Sequence, residues 1–114
     1  MQVYPNPEYQ QTVESIKSKL LAGIHPEAIL LFGSGARGEI REDSDIDLLV
    51  VWDERPEISN IKRQIFLRKL IGAVDRPVDV LTCSTKELNH SLNKVHPFTK
   101  EILEEGIVLY GRLQ

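Results

Sequence analysis

The chain has a single cysteine, Cys83, among its 114 residues. One cysteine cannot form a disulfide within the chain, a pattern typical of proteins from a reducing compartment. Long apolar segments are also lacking, since the longest uninterrupted runs, 28–32 and 48–52, are five residues each. A membrane-spanning helix needs about 20 apolar residues. The first eleven residues have neither the basic start nor the apolar core of a signal peptide. We therefore expect a cytoplasmic protein.

Positive charge is scarce as well. The chain carries 14 Lys and Arg against 17 Asp and Glu, for a net charge of −3, which argues against a general nucleic-acid binder. Its histidines, His25, His90 and His96, show no metal-ligand spacing with the cysteine, so we expect no zinc site. No internal repeat or linker is visible, and the length suits one hydrophobic core. We predict a single domain, 1–114.

Hydrophobic periodicity predicts helices and strands in alternation. The predicted helices are 7–22, 59–74, one that begins at the capping-box sequence 84–87, and 98–105. The predicted strands are 28–32, 45–52, 78–82 and 107–110. This pattern indicates an α/β or α+β domain over a small sheet, with the strand order left open.

The helix predicted at 59–74 carries both apolar and basic residues. Its predicted apolar face consists of Ile61, Ile65, Leu67, Leu70, Ile71 and Val74. Its basic residues are Lys62, Arg63, Arg68 and Lys69. We expect the basic residues to form a solvated face, which could also meet an acidic partner or a nucleotide.

Two aspartates stand one residue apart where a predicted strand begins. Because alternate side chains of a strand share a face, Asp45 and Asp47 point the same way, about 7 Å apart. Aspartate is disfavoured in strands and is rarely buried without a partner. Asp45 alone could be an ordinary cap, but Asp47 is followed directly by the apolar run 48–52. Like charges held this close indicate a cation site.

A glycine-rich turn follows the strand predicted at 28–32. Gly33 lets the backbone approach a phosphate closely, and Ser34 offers a hydroxyl and an amide donor. Arg37 supplies a positive charge that can contact phosphate. Such turns are common, and alone this one is equally well explained as a plain turn with a surface arginine. The acidic pair ten residues further on favours phosphate binding.

A third aspartate, Asp79, lies in the strand predicted at 78–82. If this strand lies beside that of Asp45 and Asp47, three carboxylates converge. Together with phosphate oxygens they would suit two Mg²⁺ ions. The alternative is an edge-strand aspartate paired to Arg76 or another base. Taken with the turn, the carboxylates predict a metal-dependent nucleotidyl-transfer site.

Segments 31–38, LFGSGARG, and 43–50, DSDIDLLV, resemble the signature of the minimal nucleotidyltransferases of the DNA polymerase beta superfamily. The resemblance extends from about Val13 to Tyr110, and the turn, the spacing and the third aspartate are specific in combination. Gly35 departs from the pattern, since relatives often carry a bulkier residue there. The resemblance implies a nucleotidyltransferase fold, with a mixed, mainly antiparallel sheet flanked by helices.

The resemblance also implies a role for each candidate residue. Those that would contact the phosphates of ATP are Gly33, Ser34 and Arg37. Those that would hold two Mg²⁺ ions are Asp45, Asp47 and Asp79. The last of these, Asp79, would also take or orient the proton of the acceptor hydroxyl.

Stand-alone members of this family resemble the antitoxin half of two-gene systems whose toxin is a HEPN ribonuclease. The stretch after Asp79 is too short for an acceptor-binding domain, so we expect the acceptor on another protein. The resemblance implies transfer of AMP from ATP to a tyrosine of that toxin. Two alternatives remain open: a binding module that neutralises the partner sterically, and the catalytic subunit of a small-molecule nucleotidyltransferase.

Overall fold

The computed structural model describes residues 7–36, 45–93 and 97–112. Its helices are α1 (Pro7–Gly23), α2 (Asn60–Ile71), α3 (Thr85–Asn93) and α4 (Pro97–Glu105). Its strands are β1 (Ala28–Phe32), β2 (Ile46–Val51), β3 (Val78–Cys83) and β4 (Ile107–Gly111). A short 3₁₀ turn, Gly33–Gly35, follows β1. Helices and strands therefore alternate much as the periodicity predicts.

The four strands form one mixed sheet in the order β3-β2-β1-β4. Strand β1 pairs antiparallel with both β2 and β4, and β2 pairs parallel with β3. Parallel neighbours need a crossover connection, which α2 supplies. The prediction of a mixed, mainly antiparallel sheet flanked by helices is confirmed. In this order β3 is an edge strand and β2 lies inside the sheet.

Each face of the sheet packs against a different pair of helices. Ile46, Leu48 and Val50 of β2 lie in the cluster that contains the buried residues of α1 and α2. Leu49 and Val51 lie in the other cluster, with Leu88 of α3 and Ile102 of α4. The alternation of side chains along β2 thus decides which pair of helices each residue meets. Asp47 belongs to the face of Leu49, which is the α3/α4 face.

Helix α1 buries one stripe at helical spacing. Its buried residues are Tyr9, Val13, Ile16 and Leu20, as the periodicity predicts. In the part of the chain that the structure describes, no helix combines the length and the apolar character needed to cross a membrane.

Helix α2 differs from its prediction in length and in orientation. It ends at Ile71, because Gly72 has a left-handed φ of +67° and its N–H donates to the carbonyl of Arg68. Ile61 and Ile65, expected on the apolar face, are 71% and 48% exposed. That prediction was wrong. A helix has only one buried stripe, and tertiary packing turned a different stripe inward.

The buried stripe of α2 includes an arginine. Arg63 was expected on a solvated face, but only 3% of it is exposed, and Leu67 is buried beside it. Its guanidinium donates hydrogen bonds to the carbonyls of Trp52 and Glu54 and lies 4.2 Å from the centroid of the Trp52 ring. These partners compensate for the lost hydration of the charge.

The capping box of α3 forms as predicted. The Ser84 N–H donates to Oε1 of Glu87 at 2.9 Å, and the Glu87 N–H donates to Oγ of Ser84 at 3.1 Å. The hydrogen bond from the Ser84 N–H lowers the pKa of Glu87. Two otherwise orphaned N–H groups are thereby satisfied.

Candidate active site

The turn after β1 passes directly over an aspartate of β2. Phe32, the last residue of β1, is the register partner of Asp47. Gly33 follows with a φ of +73°, and a Cβ built on it would collide with Oδ2 of Asp47. The left-handed backbone favours glycine here, and a Cβ would also force the Asp47 carboxylate to move. The turn and the carboxylate of Asp47 therefore form one site.

Asp47 and Asp79 lie side by side on neighbouring strands. The parallel register of β2 and β3 pairs them directly, and adjacent strands are about 4.8 Å apart. The Asp47 side chain is half-buried, and that of Asp79 is 65% exposed. The strand of Asp79 lies beside that of Asp47, as the predicted convergence of carboxylates requires. The structure brings these two together, but among the described residues it does not gather three carboxylates into one metal-holding group. Two like charges at the same level of a sheet repel each other, which is unfavourable unless something else neutralises them.

Asp45 lies one residue before β2, with its side chain exposed. Its backbone is fixed by Tyr9 of α1, whose hydroxyl donates to the Asp45 carbonyl at 3.1 Å. The next residue, Ile46, donates its N–H to the carbonyl of Pro77 at 2.9 Å. These two hydrogen bonds position the start of β2 relative to α1 and β3.

Tyr9 also explains why residue 35 is glycine. A Cβ on Gly35 would collide with the hydroxyl of Tyr9, so a larger residue has no space here. The guanidinium of Arg76 lies 4.9 Å from the centroid of the Tyr9 ring. From the sequence, Tyr9 is only one residue of the helix predicted at 7–22. Gly35 is the one feature of the sequence that points to the place of Tyr9 in the site.

Asp79 has a basic neighbour within the chain. Nη2 of Arg68 lies 3.6 Å from Oδ1 of Asp79, and both side chains are about half exposed or more, at 49% and 65%. This pair matches the alternative interpretation of Asp79 as an edge-strand aspartate paired to a base. The base is Arg68, whereas the sequence suggested Arg76 or another base. An exposed pair of this kind contributes about 0–1 kcal/mol. Arg68 was not singled out from the sequence as a residue of the site.

The carboxylate oxygens of the site are of the type that suits a hard divalent cation. The described residues nevertheless contain no group of three or more His, Cys, Asp or Glu that could hold a metal ion. Asp47 and Asp79 offer carboxylate oxygens on neighbouring strands, the ligand type that Mg²⁺ prefers. Asp45 lies at the start of the same strand as Asp47. Ser34 lies in the turn between Gly33 and Gly35. Arg37 lies outside the described residues, so its phosphate contact stays a prediction.

Residues 14–114 match the family model described as "Polymerase beta, Nucleotidyltransferase". The chain belongs to this family of nucleotidyltransferases, which confirms the resemblance seen in the sequence. A protein of Methanocaldococcus jannaschii, provisionally named a protein adenylyltransferase, is 34% identical over 102 residues, which are 89% of this chain and 93% of the relative. The protein adenylyltransferase MntA of Thermococcus cleftensis is 35% identical over 66 residues, or 57% of this chain and 67% of that protein.

Solved structures share the fold. A toxin–antitoxin structure with AMP-PNP matches with a TM-score of 0.56 and 28% identity, covering 87% of this chain and 73% of the matched one. An MntA-HpeT toxin–antitoxin structure, a mutant with one tyrosine replaced by alanine, matches with a TM-score of 0.57 and 27% identity, covering 88% and 72%. A spectinomycin adenyltransferase of Enterococcus matches with a TM-score of 0.62 at 15% identity, covering 92% and 57%. That last similarity shows the fold alone.

Proposed function

We propose that this chain transfers AMP from ATP to a hydroxyl group of a partner protein and acts as the antitoxin of that partner. The observation that carries the proposal is the position of Asp47. It lies in register with Asp79 and directly beneath the Gly33 turn. A phosphate-binding turn in contact with paired carboxylates is the arrangement that nucleotidyl transfer needs.

The reaction would use the site residues in separate roles. The turn of Gly33 and Ser34, with Arg37, would hold the outer phosphates of ATP. The acceptor oxygen would attack the α-phosphorus, the bond to the pyrophosphate oxygen would break, and pyrophosphate would leave. Asp79, which is more exposed than Asp47, would accept the proton of the acceptor hydroxyl.

Asp47 and Asp79, which lie side by side, would supply the first ligands of two Mg²⁺ ions, and the exposed carboxylate of Asp45 would join them. When bound, these ions would supply positive charge that stabilises the phosphoryl oxygens during transfer. The chain's own part is to orient the nucleotide. The glycine at position 33 lets the turn lie against Asp47, and the hydroxyl of Tyr9 fixes the backbone of Asp45.

The proposed acceptor is a tyrosine of a HEPN-type toxin from an adjacent gene. Support comes from the two relatives described above, both named protein adenylyltransferase and one of them only provisionally. Two matching structures are toxin–antitoxin assemblies, one with AMP-PNP and one with a tyrosine replaced by alanine. A tyrosine hydroxyl has a pKa near 10, so a carboxylate base beside it would assist its attack.

Intact-mass spectrometry tests the proposal. The chain is incubated with ATP and Mg²⁺, with and without the product of the adjacent gene. We expect mass increments of one AMP, or multiples of it, on the partner, and their loss with Asp79→Ala. A partner that binds stably but gains no mass would contradict the proposal.

A second candidate is a binding module that neutralises its partner sterically. The ion pair between Arg68 and Asp79 favours it, because it gives Asp79 a role without a metal. The nearly isosteric Asp47→Asn separates the two candidates. If the chain is an enzyme, this variant still forms the complex but no longer transfers AMP or neutralises the toxin. If it is a steric binder, Asp47→Asn neutralises fully.

A further inference from the structure

A groove lies on the α3/α4 face of the sheet, over the same two strands that carry Asp47 and Asp79. Its volume is about 390 Å³. The apolar and thiol side chains that line it are Leu49, Leu81, Leu88, Ile102, Ile61 and Cys83. The structure thus leaves an apolar concavity between α2, the β2/β3 pair, α3 and α4, and the site described above does not use it.

The floor of this groove continues the two strands that carry the carboxylates. Leu49 follows Asp47 by two residues, and Leu81 follows Asp79 by two. Residues two apart on a strand share a face and lie about 7 Å apart. The floor of the groove therefore begins about 7 Å along the sheet from Asp47 and Asp79.

The polar side chains at the groove already serve hydrogen bonds within the chain. Nδ2 of Asn60 donates to Glu87 at 2.9 Å, and Nε2 of Gln64 donates to the carbonyl of Val80. Oγ1 of Thr82 donates to the carbonyl of Val50 and accepts from the Trp52 indole. A nucleobase would need such groups for its own donors and acceptors. The lining favours an apolar or aromatic occupant.

One wall of the groove extends into an exposed surface of α2. Ile61 and Ile65, one turn apart, are 71% and 48% exposed. Lys62, Arg68 and Lys69 are exposed on the same helix, and α2 contains no acidic residue. We call these five residues the α2 ridge. Exposed apolar side chains adjoining a pocket are typical of interaction sites, and the positive charge of the ridge contrasts with a net charge of −3 for the chain.

We propose that the groove and the α2 ridge together dock the acceptor protein, through a segment in which acidic residues flank an apolar or aromatic side chain. The aromatic or apolar group fills the groove, and the flanking carboxylates meet Lys62 and Lys69. The identity of the occupant as the acceptor rests on the proposed function. The chemistry of the segment rests on the groove lining and on the charge of the ridge.

The first test removes the ridge's apolar surface. The double variant Ile61→Ala/Ile65→Ala keeps good helix formers at exposed positions, so folding is retained. With the adjacent gene's product we expect its dissociation constant to rise at least about 10-fold. The matched control is Val108→Ala on β4, where an apolar residue of similar exposure, 50%, lies at the opposite edge of the sheet. This control should leave the dissociation constant unchanged.

The second test addresses charge. Two synthetic peptides carry a tyrosine and a leucine flanked either by glutamates or by lysines, and their binding is measured by fluorescence anisotropy. The unsubstituted chain should prefer the acidic peptide, and Lys62→Glu/Lys69→Glu should abolish or reverse that preference. Equal binding of the two peptides to the unsubstituted chain would overturn the proposal.

ATP affinity, measured separately, distinguishes the possible failures. A loss of ATP affinity in Ile61→Ala/Ile65→Ala would make the groove a nucleotide site and overturn the docking proposal. If the partner binds and the ridge variant weakens it, but the unsubstituted chain transfers no AMP, docking holds and the proposed function fails. If AMP transfer occurs and is equally efficient in the ridge variant, the proposed function holds and docking fails.

Discussion

The charged side chains at the two ends of β2 have opposite surroundings. Just beyond one end, at Trp52, the charge of Arg63 is almost fully buried, and the carbonyls of Trp52 and Glu54 accept its hydrogen bonds. At the other end, Asp47 lies in register with the like charge of Asp79. The first arrangement stabilises the fold, whereas the second costs stability. If the Gly33 turn beside Asp47 binds phosphate as proposed, the stability lost at this end of β2 serves a ligand.

The largest expected effect on stability is at the Trp52 end. Arg63→Ala leaves the buried carbonyl of Trp52 and the part-buried carbonyl of Glu54 without their donor and removes the guanidinium from the Trp52 ring, so we expect a loss of about 3 kcal/mol. Urea denaturation measures it. The control is Lys62→Ala, an exposed neighbour on the same helix, which should change the free energy of unfolding by no more than about 0.5 kcal/mol. Equal losses of unfolding free energy in the two variants would show that Arg63 stabilises the fold no more than an exposed residue does.

The next largest effect is at the turn over Asp47. Gly33→Ala forces a side chain into a left-handed conformation, at a cost of about 1–2 kcal/mol, and into Oδ2 of Asp47. Gly72→Ala is a matched control, because Gly72 has a similar φ of +67° but no atom lies within 4 Å of its Cβ position. The excess loss of Gly33→Ala over Gly72→Ala, measured by thermal denaturation, reports the contact with Asp47. Indistinguishable losses would contradict the close approach.

A smaller effect is expected where α1 meets the start of β2. Tyr9→Phe removes the hydrogen bond to the Asp45 carbonyl and should cost about 1 kcal/mol. Tyr110→Phe, at an exposed position of β4, is the control and should cost almost nothing. Because Tyr9 fixes the backbone of Asp45, Tyr9→Phe should also lower AMP transfer more than Tyr110→Phe does. Unchanged transfer would leave Tyr9 a purely structural role.

Local patterns in the sequence were enough to predict most of this fold. Strand β1 and the capping box at Ser84 and Glu87 follow from short-range chemistry, and the structure has both. The facing of Asp47 and Asp79 away from their apolar neighbours follows from the two-residue period of a strand. The sequence could not predict that the strands of Asp47 and Asp79 are neighbours. Strand order depends on contacts between segments that are distant in the chain.

What the sequence did not predict depends on neighbours in space. Nothing in the sequence distinguishes Arg63 from an exposed basic helix residue. Its burial depends on the carbonyls of Trp52 and Glu54, which accept its hydrogen bonds in the folded chain. The same packing turned Ile61 and Ile65 outward. A count of apolar residues could not choose between two possible stripes of α2, because both contain apolar side chains and the partners that decide are far away in the chain.

The smallest expected effect on stability is at Asp79, and it sharpens the contrast between the two ends of β2. Asp79→Asn loses an exposed pair with Arg68 that is worth about 0–1 kcal/mol, but it also relieves the repulsion with Asp47. We therefore expect the free energy of unfolding in urea to change by no more than about 0.5 kcal/mol. Arg68→Gln is the control, because it breaks the same pair without relieving that repulsion, and it should be slightly the more destabilising of the two.

If Asp79→Asn were instead as destabilising as Arg63→Ala, the carboxylate of Asp79 would stabilise the fold as the buried arginine does. That result would support the steric-binding candidate. A nearly neutral Asp79→Asn that no longer transfers AMP would mean that the stability given up at this end of the sheet serves the reaction.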